Sequence, residues 1–276
     1  MEAEVNLSGA GDPLSAAVAE RDSQTLDMVR EAIRKKEVML AYQPIVQSRR
    51  PERPVFYEGL IRVLDKTGRI IPAREFIEVA ETSDIGRELD CLALELGLAA
   101  LAEHKDLRLA LNMSARSIGY RRWRKTLEQG LSADVTVPER LILEITESSA
   151  MIMPDIVSVF MADLQSLGIS FALDDFGAGY TAFRHFKDFY FDMMKIDGSY
   201  TRGISRNADN QVLTRALVSV AKHFDMYTVA EFVETKEDAL YLSSIGVDCL
   251  QGHYFGAATV SPPWQQKVLQ RKMSSH

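Results

Sequence analysis

Seven short apolar runs in this chain each end in a side chain able to bind a cation, hold water or carry charge. Val55-Phe56-Tyr57 leads to Glu58, Leu109-Ala110-Leu111 to Asn112, and Leu141-Ile142-Leu143 to Glu144. Ile169 to Leu173 leads to Asp174-Asp175, Met193-Met194 to Lys195, Tyr227 to Ala230 to Glu231, and Val247 to Leu250 to Gln251. Polar side chains at the ends of successive buried strands are how a barrel assembles an active site at one rim. A rim rich in carboxylates suits hard divalent cations acting on an anionic substrate. Asp174-Asp175 is the strongest local signal, because two adjacent acids repel one another unless a metal shares them. In Leu143-Glu144-Ile145-Thr146-Glu147, strand alternation sends Glu144 and Thr146 to one side. A helix cap would account for Thr146 or Glu147 but less well for Glu144, a carboxylate costly to bury without a cation or donors.

The elements that must position these groups alternate along the chain. Arg21 to Lys36 carries Leu26, Val29 and Ile33 on one helical face, and Val38 to Val46 reads as a strand. Gln47 to Pro54, with two prolines, reads as a loop short enough to make the first two strands antiparallel neighbours. Helical segments near 86–103, 118–130, 154–167, 207–224 and 236–245 then alternate with strands, the mark of an α/β layout with a mostly parallel sheet. About eight strands fit a closed barrel better than an open sheet. Residues 1–20, rich in Ala, Gly, Ser and acids, read as a flexible leader or linker, and 21–276 as one barrel domain.

Bulk properties narrow the function. The formal net charge of −7 argues against a polymeric nucleic acid held on a basic surface, although a small phosphorylated ligand remains compatible once cations are bound. Arg121-Arg122-Trp123-Arg124-Lys125 reads as a solvated helix face. The two cysteines, Cys91 and Cys249, read as buried free thiols. Five histidines give no zinc spacing, and neither a phosphate loop nor a nucleophile elbow is present. With no membrane-length apolar run and no signal-peptide pattern, the expected location is cytoplasmic.

Taken in order, Tyr42-Gln43-Pro44-Ile45-Val46, Glu58-Gly59-Leu60, Asn112-Met113-Ser114, Leu143 to Glu147, Asp174 to Tyr180, Lys195-Ile196-Asp197, Ala230 to Thr235 and Gln251-Gly252 closely resemble the EAL-domain family of cyclic-di-GMP phosphodiesterases. The resemblance implies a modified TIM (β/α)8 barrel whose first strand is antiparallel to the others. It also implies hydrolysis of cyclic di-GMP to linear 5′-pGpG with two Mg2+ or Mn2+ ions. Carried over by position, Glu58, Asn112, Glu144 and Asp174 would hold one metal. Asp174, Asp175 and Glu231 would hold or orient the second and its water. Lys195 would contact that water or stabilise charge on phosphorus, and Gln251 would complete the catalytic set. Gln43, Leu60, Arg62, Asp197 and Glu234 would touch the dinucleotide. Glu147 would brace the loop containing Phe176, Gly177, Gly179 and Tyr180, which in the family couples a homodimer to the catalytic centre. An N-terminal regulatory domain or protein partner is also expected by resemblance.

Three departures stand out: Gly59 in place of alanine, Phe232 in place of the glycine after Glu231, and Ala257-Ala258 where proline is frequent. Phe189-Tyr190-Phe191 also replaces an aliphatic-proline stretch. A receptor that binds cyclic di-GMP without useful turnover, its second metal obstructed by Phe232, is the alternative. A two-carboxylate glycosidase is a more distant one.

Overall fold

The inner and outer faces of the barrel strands follow from a period of two. In Leu141–Thr146, Leu141, Leu143 and Ile145 pack outward among helix side chains, while Ile142 joins a separate inner cluster with Ile45, Phe56, Ala110, Ala172 and Val229. The structure is a computed structural model of the 276-residue chain, described over residues 13–81, 83–177 and 189–265. Its strands are β1 (Val38–Gln47), β2 (Arg50–Leu64), β3 (Ile70–Ile71), β4 (Leu109–Asn112), β5 (Leu141–Thr146), β6 (Ser170–Phe176), β7 (Met193–Ile196), β8 (Tyr227–Ala230) and β9 (Cys249–Gln251). They pair in the order β1-β9-β8-β7-β6-β5-β4-β2-β3, and a further β1–β2 pairing closes all but β3 into a barrel. From β2 through β4 to β9 the barrel pairs are parallel, whereas β1 meets β9 antiparallel, with Ile45 opposite Gln251. This is the modified α/β barrel expected from the sequence.

The helices are α1 (Pro13–Lys35), α2 (Ile77–Glu81), α3 (Asp84–Glu103), α4 (Arg121–Ala133), α5 (Glu147–Ala150), α6 (Pro154–Gln165), α7 (Gly198–Thr201), α8 (Ala208–His223) and α9 (Lys236–Ser244). Their boundaries have local causes. Asn207 caps α8 by accepting from the Asn210 N–H at 3.1 Å, and Thr235 caps α9 through the Asp238 N–H at 3.1 Å. Pro154 opens α6, where its missing N–H costs nothing. In α4, Trp123 and Leu127 turn inward one helical turn apart, and the flanking basic side chains stay exposed.

Two local expectations change. The loop assigned to 47–54 shrinks to a turn at Ser48-Arg49, and β2 already runs from Arg50 through Pro51 and Pro54. Residues 50–55 are exposed, so proline withdraws a donor where water can satisfy the facing acceptor. The first helix starts at Pro13 rather than near Arg21.

The chain forms two compact units. The smaller takes in the described residues of Met1–Val38 with Arg62–Gly86, and the larger those of Met39–Ile61 with Arg87–His276. Within the smaller, Glu31 meets Lys35 at 3.1 Å and Lys66 at 3.0 Å, and β3 pairs with Val63 and Leu64. Within the larger lie the closed part of the barrel and the groups discussed next, Arg62 excepted. None of the described helices is long and apolar enough to cross a membrane.

Candidate functional site

Moving two residues along each strand from its inward apolar position reaches a polar group at the same end of the barrel. Phe56 is followed by Glu58, Ala110 by Asn112, Ile142 by Glu144, Ala172 by Asp174, Met193 by Lys195, Val229 by Glu231 and Cys249 by Gln251. Antiparallel β1 supplies Gln43 from its middle. The pleat therefore places an apolar layer beneath and a polar layer above, from one register. Gln43, Glu58, Leu60, Asn112, Asp174, Asp175, Glu231, Phe232, Glu234, Gln251, Gly252 and His253 line the resulting cavity, of about 340 Å3.

Lys195 organises the polar layer. Its ammonium stands 2.9 Å from Glu144 Oε2, Asp174 Oδ1 and Glu231 Oε1, and 3.6 Å from Glu58 Oε1. Glu58 in turn accepts from Asn112 Nδ2 at 2.8 Å and Gln251 Nε2 at 2.6 Å, and Gln251 also donates to Gln43 Oε1 at 3.2 Å. Burial opposes ionisation at each acid, but the outcomes differ with the neighbours. For Glu58, the Lys195 charge and the two amide donors overcome desolvation and hold the carboxyl below its ordinary range. Glu144 is pushed well above it by burial, aggravated by Glu58 and Asp174. Burial likewise raises Glu231 to about 8, and partial desolvation with the Asp174 charge raises rim-placed Asp175 to about 6. Desolvation works against charge on Lys195, yet the surrounding Asp174, Glu144, Glu231 and Glu58 carry its pKa well upward, so it remains an ammonium.

Four buried carboxyl groups around one ammonium, with exposed Asp175 beside them, carry an excess of negative charge once ionised, the condition that divalent cations relieve. Ligand oxygens of Glu58, Glu144 and Asp174 lie within 4.8 Å of one another, as do those of Asp174, Asp175 and Glu231. Glu144 Oε1 is buried and has no hydrogen-bond partner, which leaves acceptor capacity that a bound cation would use. The donors are all oxygen, which suits Mg2+ or Mn2+ over zinc. Asp174 belongs to both groups and can be shared.

The remaining expected residues fall into place unevenly. Glu147 is buried at the start of α5 and its Oε2 accepts from the Gly177 N–H at 3.5 Å. Gly177 has φ +97°, and a Cβ there would meet the Tyr200 ring at 2.5 Å, so glycine is required. Phe176 is fully buried, while Gly179 and Tyr180 lie outside the described residues. Thr146 caps α5 by accepting from the Ser149 N–H at 3.2 Å, while Glu144 is buried against Lys195. Asp197 does not line the cavity; its Oδ1 caps α7 through the Ser199 N–H at 2.9 Å. Arg62 falls in the smaller unit, outside the cavity lining. Glu234 lines the cavity and pairs with Arg202 at 3.8 Å. His253 was not anticipated; two positions beyond Gln251 on an irregular segment, it carries no spacing signal.

Phe232 and Gly252 show why the segment after β8 has its shape. Phe232 has φ +50°, a conformation in which glycine is ordinary and phenylalanine is strained. Its ring packs against the bare Cα of Gly198 and lies 4.8 Å below the Arg202 guanidinium. Gly252 lies so close to the Val233 backbone that a Cβ would collide with it, and Val233 N–H donates to the Gln251 carbonyl at 2.9 Å. Gln251-Gly252 thus makes a close backbone approach to Val233, two residues beyond Glu231.

Known proteins resemble this chain. A family model described as the EAL domain matches residues 26–258. Cyclic di-GMP phosphodiesterase PdeF of Escherichia coli is 29% identical over 84% of this chain and 31% of its own length. An uncharacterized signaling protein of Caulobacter vibrioides is 33% identical over 87% of this chain and 29% of its own. The chain spans about a third of the length of such curated relatives. Among solved structures, the MucR phosphodiesterase in complex with cyclic di-GMP, from Pseudomonas aeruginosa, aligns with TM-score 0.75 and 28% identity, covering 88% of this chain and 99% of that one. The FimX EAL domain of Pseudomonas aeruginosa shares the fold at TM-score 0.77 and 23% identity, over 85% of this chain and 96% of that one. With the family match covering most of the barrel and its carboxylate rim, this chain belongs to the EAL domain family.

Proposed function

We propose that this chain hydrolyses one phosphodiester bond of cyclic di-GMP to give linear 5′-pGpG, using two Mg2+ or Mn2+ ions. The observation that carries this reading is the pair of carboxylate groups sharing Asp174 at the end of the barrel. Glu58, Asn112, Glu144 and Asp174 would hold one ion, and Asp174, Asp175 and Glu231 the other. When bound, the ions would make water acidic enough to attack near neutral pH and would offset charge on the phosphodiester. Gln251 and Asn112 keep Glu58 ionised and aimed by donating to its two oxygens. Lys195 holds its neighbours in place and offers an ammonium to the attacking water or a phosphoryl oxygen. Gln43, Leu60 and Glu234 form walls for the dinucleotide. The relatives named for cyclic di-GMP supply the substrate class. Glu147, by accepting from Gly177, braces the loop leading to Gly179 and Tyr180, through which a homodimer or an attached regulatory domain would act on the centre.

Incubation with cyclic di-GMP and Mn2+, followed by chromatography, tests the reading. It should yield pGpG, with none formed in excess chelator. Binding without product would instead favour the receptor reading, for which Phe232 beside Glu231 is the specific observation.

A further inference from the structure

The barrel has a second mouth, at the amino-terminal ends of its parallel strands and the carboxyl end of β1, and a cavity of about 580 Å3 opens there. That volume lies in the range of small-molecule sites. The opposite end of such a barrel ordinarily serves stability and is closed by packed side chains. Here Phe56, Ile142, Met193 and Cys249 line the cavity, with Met193 and Cys249 only half-buried. Each stands two residues before Glu58, Glu144, Lys195 or Gln251 on the same strand, so the lower cavity abuts the layer directly beneath the polar groups.

The rim chemistry selects the occupant. Three arginines, Arg49, Arg108 and Arg140, line this cavity with two acids, Glu139 and Asp248. Arg140 is committed, donating to the Leu101, His104, Leu107 and Thr136 carbonyls at 2.9 to 3.1 Å and to Asp134 at 3.2 Å. Asp248 is committed as well, accepting from the Thr228 N–H at 2.9 Å and hydroxyl at 2.8 Å. Arg49 and Arg108 are exposed and make no ion pair among the described residues, which leaves two guanidiniums against Glu139. We propose that this mouth binds a small organic anion with an apolar body, an aromatic or branched carboxylate, sulfonate or phosphate ester. The body rests on Phe56, Ile142, Met193 and Cys249, and the acid group meets Arg49 and Arg108. The proposal is independent of the reaction at the other mouth.

Fluorescence titration of the full chain with 8-anilinonaphthalene-1-sulfonate, and with its uncharged counterpart N-phenyl-1-naphthylamine, tests it. The sulfonate should bind saturably at one site and more tightly than the neutral dye. The double variant Arg49→Ala/Arg108→Ala, altered only at exposed positions, should weaken it about tenfold, the worth of a charged hydrogen bond. Cys249→Phe should fill the cavity and remove binding, while Glu58→Ala should leave it intact. Bound sulfonate should slow alkylation of Cys249 by N-ethylmaleimide in the wild-type chain, with fully buried Cys91 as the internal control. Absent saturable binding, equal affinity in the arginine variant, or unchanged Cys249 alkylation would each overturn the assignment.

Discussion

Among the described residues, Lys195 supplies the ammonium set among Glu58, Glu144, Asp174 and Glu231, at a depth where neither sign of charge is tolerated alone. Lys195→Met should therefore destabilise the cation-free protein by about 3–5 kcal/mol in urea unfolding, because uncompensated carboxylates remain buried. Added Mn2+ should recover part of that loss; equal stability of variant and wild type in chelator would contradict the geometry. Glu58→Ala and Asp174→Ala should each abolish hydrolysis while circular dichroism shows the barrel retained, and turnover by either would refute the metal assignment. Cation affinity should rise with pH across about 6 to 8. Below those values Asp175 and Glu231 hold protons that a cation must displace, and above them both are carboxylates. Isothermal titration in two buffers of different ionisation enthalpy would count the protons released; none released at pH 6.5 would show that the acids were already ionised. These residues were legible from type and position alone, since an acid ending an apolar strand is costly without a purpose. Asp197 was not: its helix-capping role depends on where α7 begins, which a four-residue helix barely signals.

At the scale of elements, the segment joining β8 to α9 governs how Glu231 faces Gln251. Gly252→Ala should push a methyl into the Val233 backbone, lowering the melting temperature and the turnover together. Phe232→Gly separates stability from rate. It relieves a strained φ, of about 1–3 kcal/mol, but forfeits the Arg202 contact and adds unfolded-state freedom, so the melting temperature should move little. A raised turnover number would then show the ring impeding the centre, and an unchanged one that the ring is accommodated. The sequence disclosed Phe232 as a departure but not its backbone conformation, which depends on Gly198 packing beneath the ring. Period-two alternation made the inward residues readable, because one face of each strand had to be buried. The hairpin at Ser48-Arg49 was misread because two prolines resemble a loop wherever the chain cannot show that its strand overhangs into water.

For the molecule as a whole, the closed barrel and its antiparallel first strand were readable from the alternation of elements and the family motifs. The division into two compact units was not, because Arg62 to Gly86 leaves the larger unit in the middle of β2 and returns within α3, with no break in composition to mark either point. Mn2+ should raise the melting temperature of the wild-type chain, by about 2.7 kcal/mol of added stability at a hundredfold excess over its dissociation constant, and Glu58→Ala should lose most of that rise in differential scanning calorimetry. Thiol chemistry offers a reporter of global opening, since burial pushes the Cys91 thiol up to about 12 and the side chain is sealed in the native state. Alkylation of Cys91 should begin only as urea unfolds the larger unit.

The two-layer register has a corollary for insertions and deletions. Each strand that ends at the polar rim presents its polar group and its hydrophobic prop in the same column, so phase matters more than identity. Removing Ile142 alone would slide Leu141 into its place and leave Glu144 in phase, at the cost of a shortened lead-in. Removing Ile145 would keep Glu144 but turn Thr146 outward, uncoupling the cap of α5. Removing Leu143 would instead bring Ile142 and Glu144 to opposite faces, so that one of them must defect to the helix layer. Among these three single-codon losses, the last alone would strike the carboxylate rim and the scaffold in one stroke.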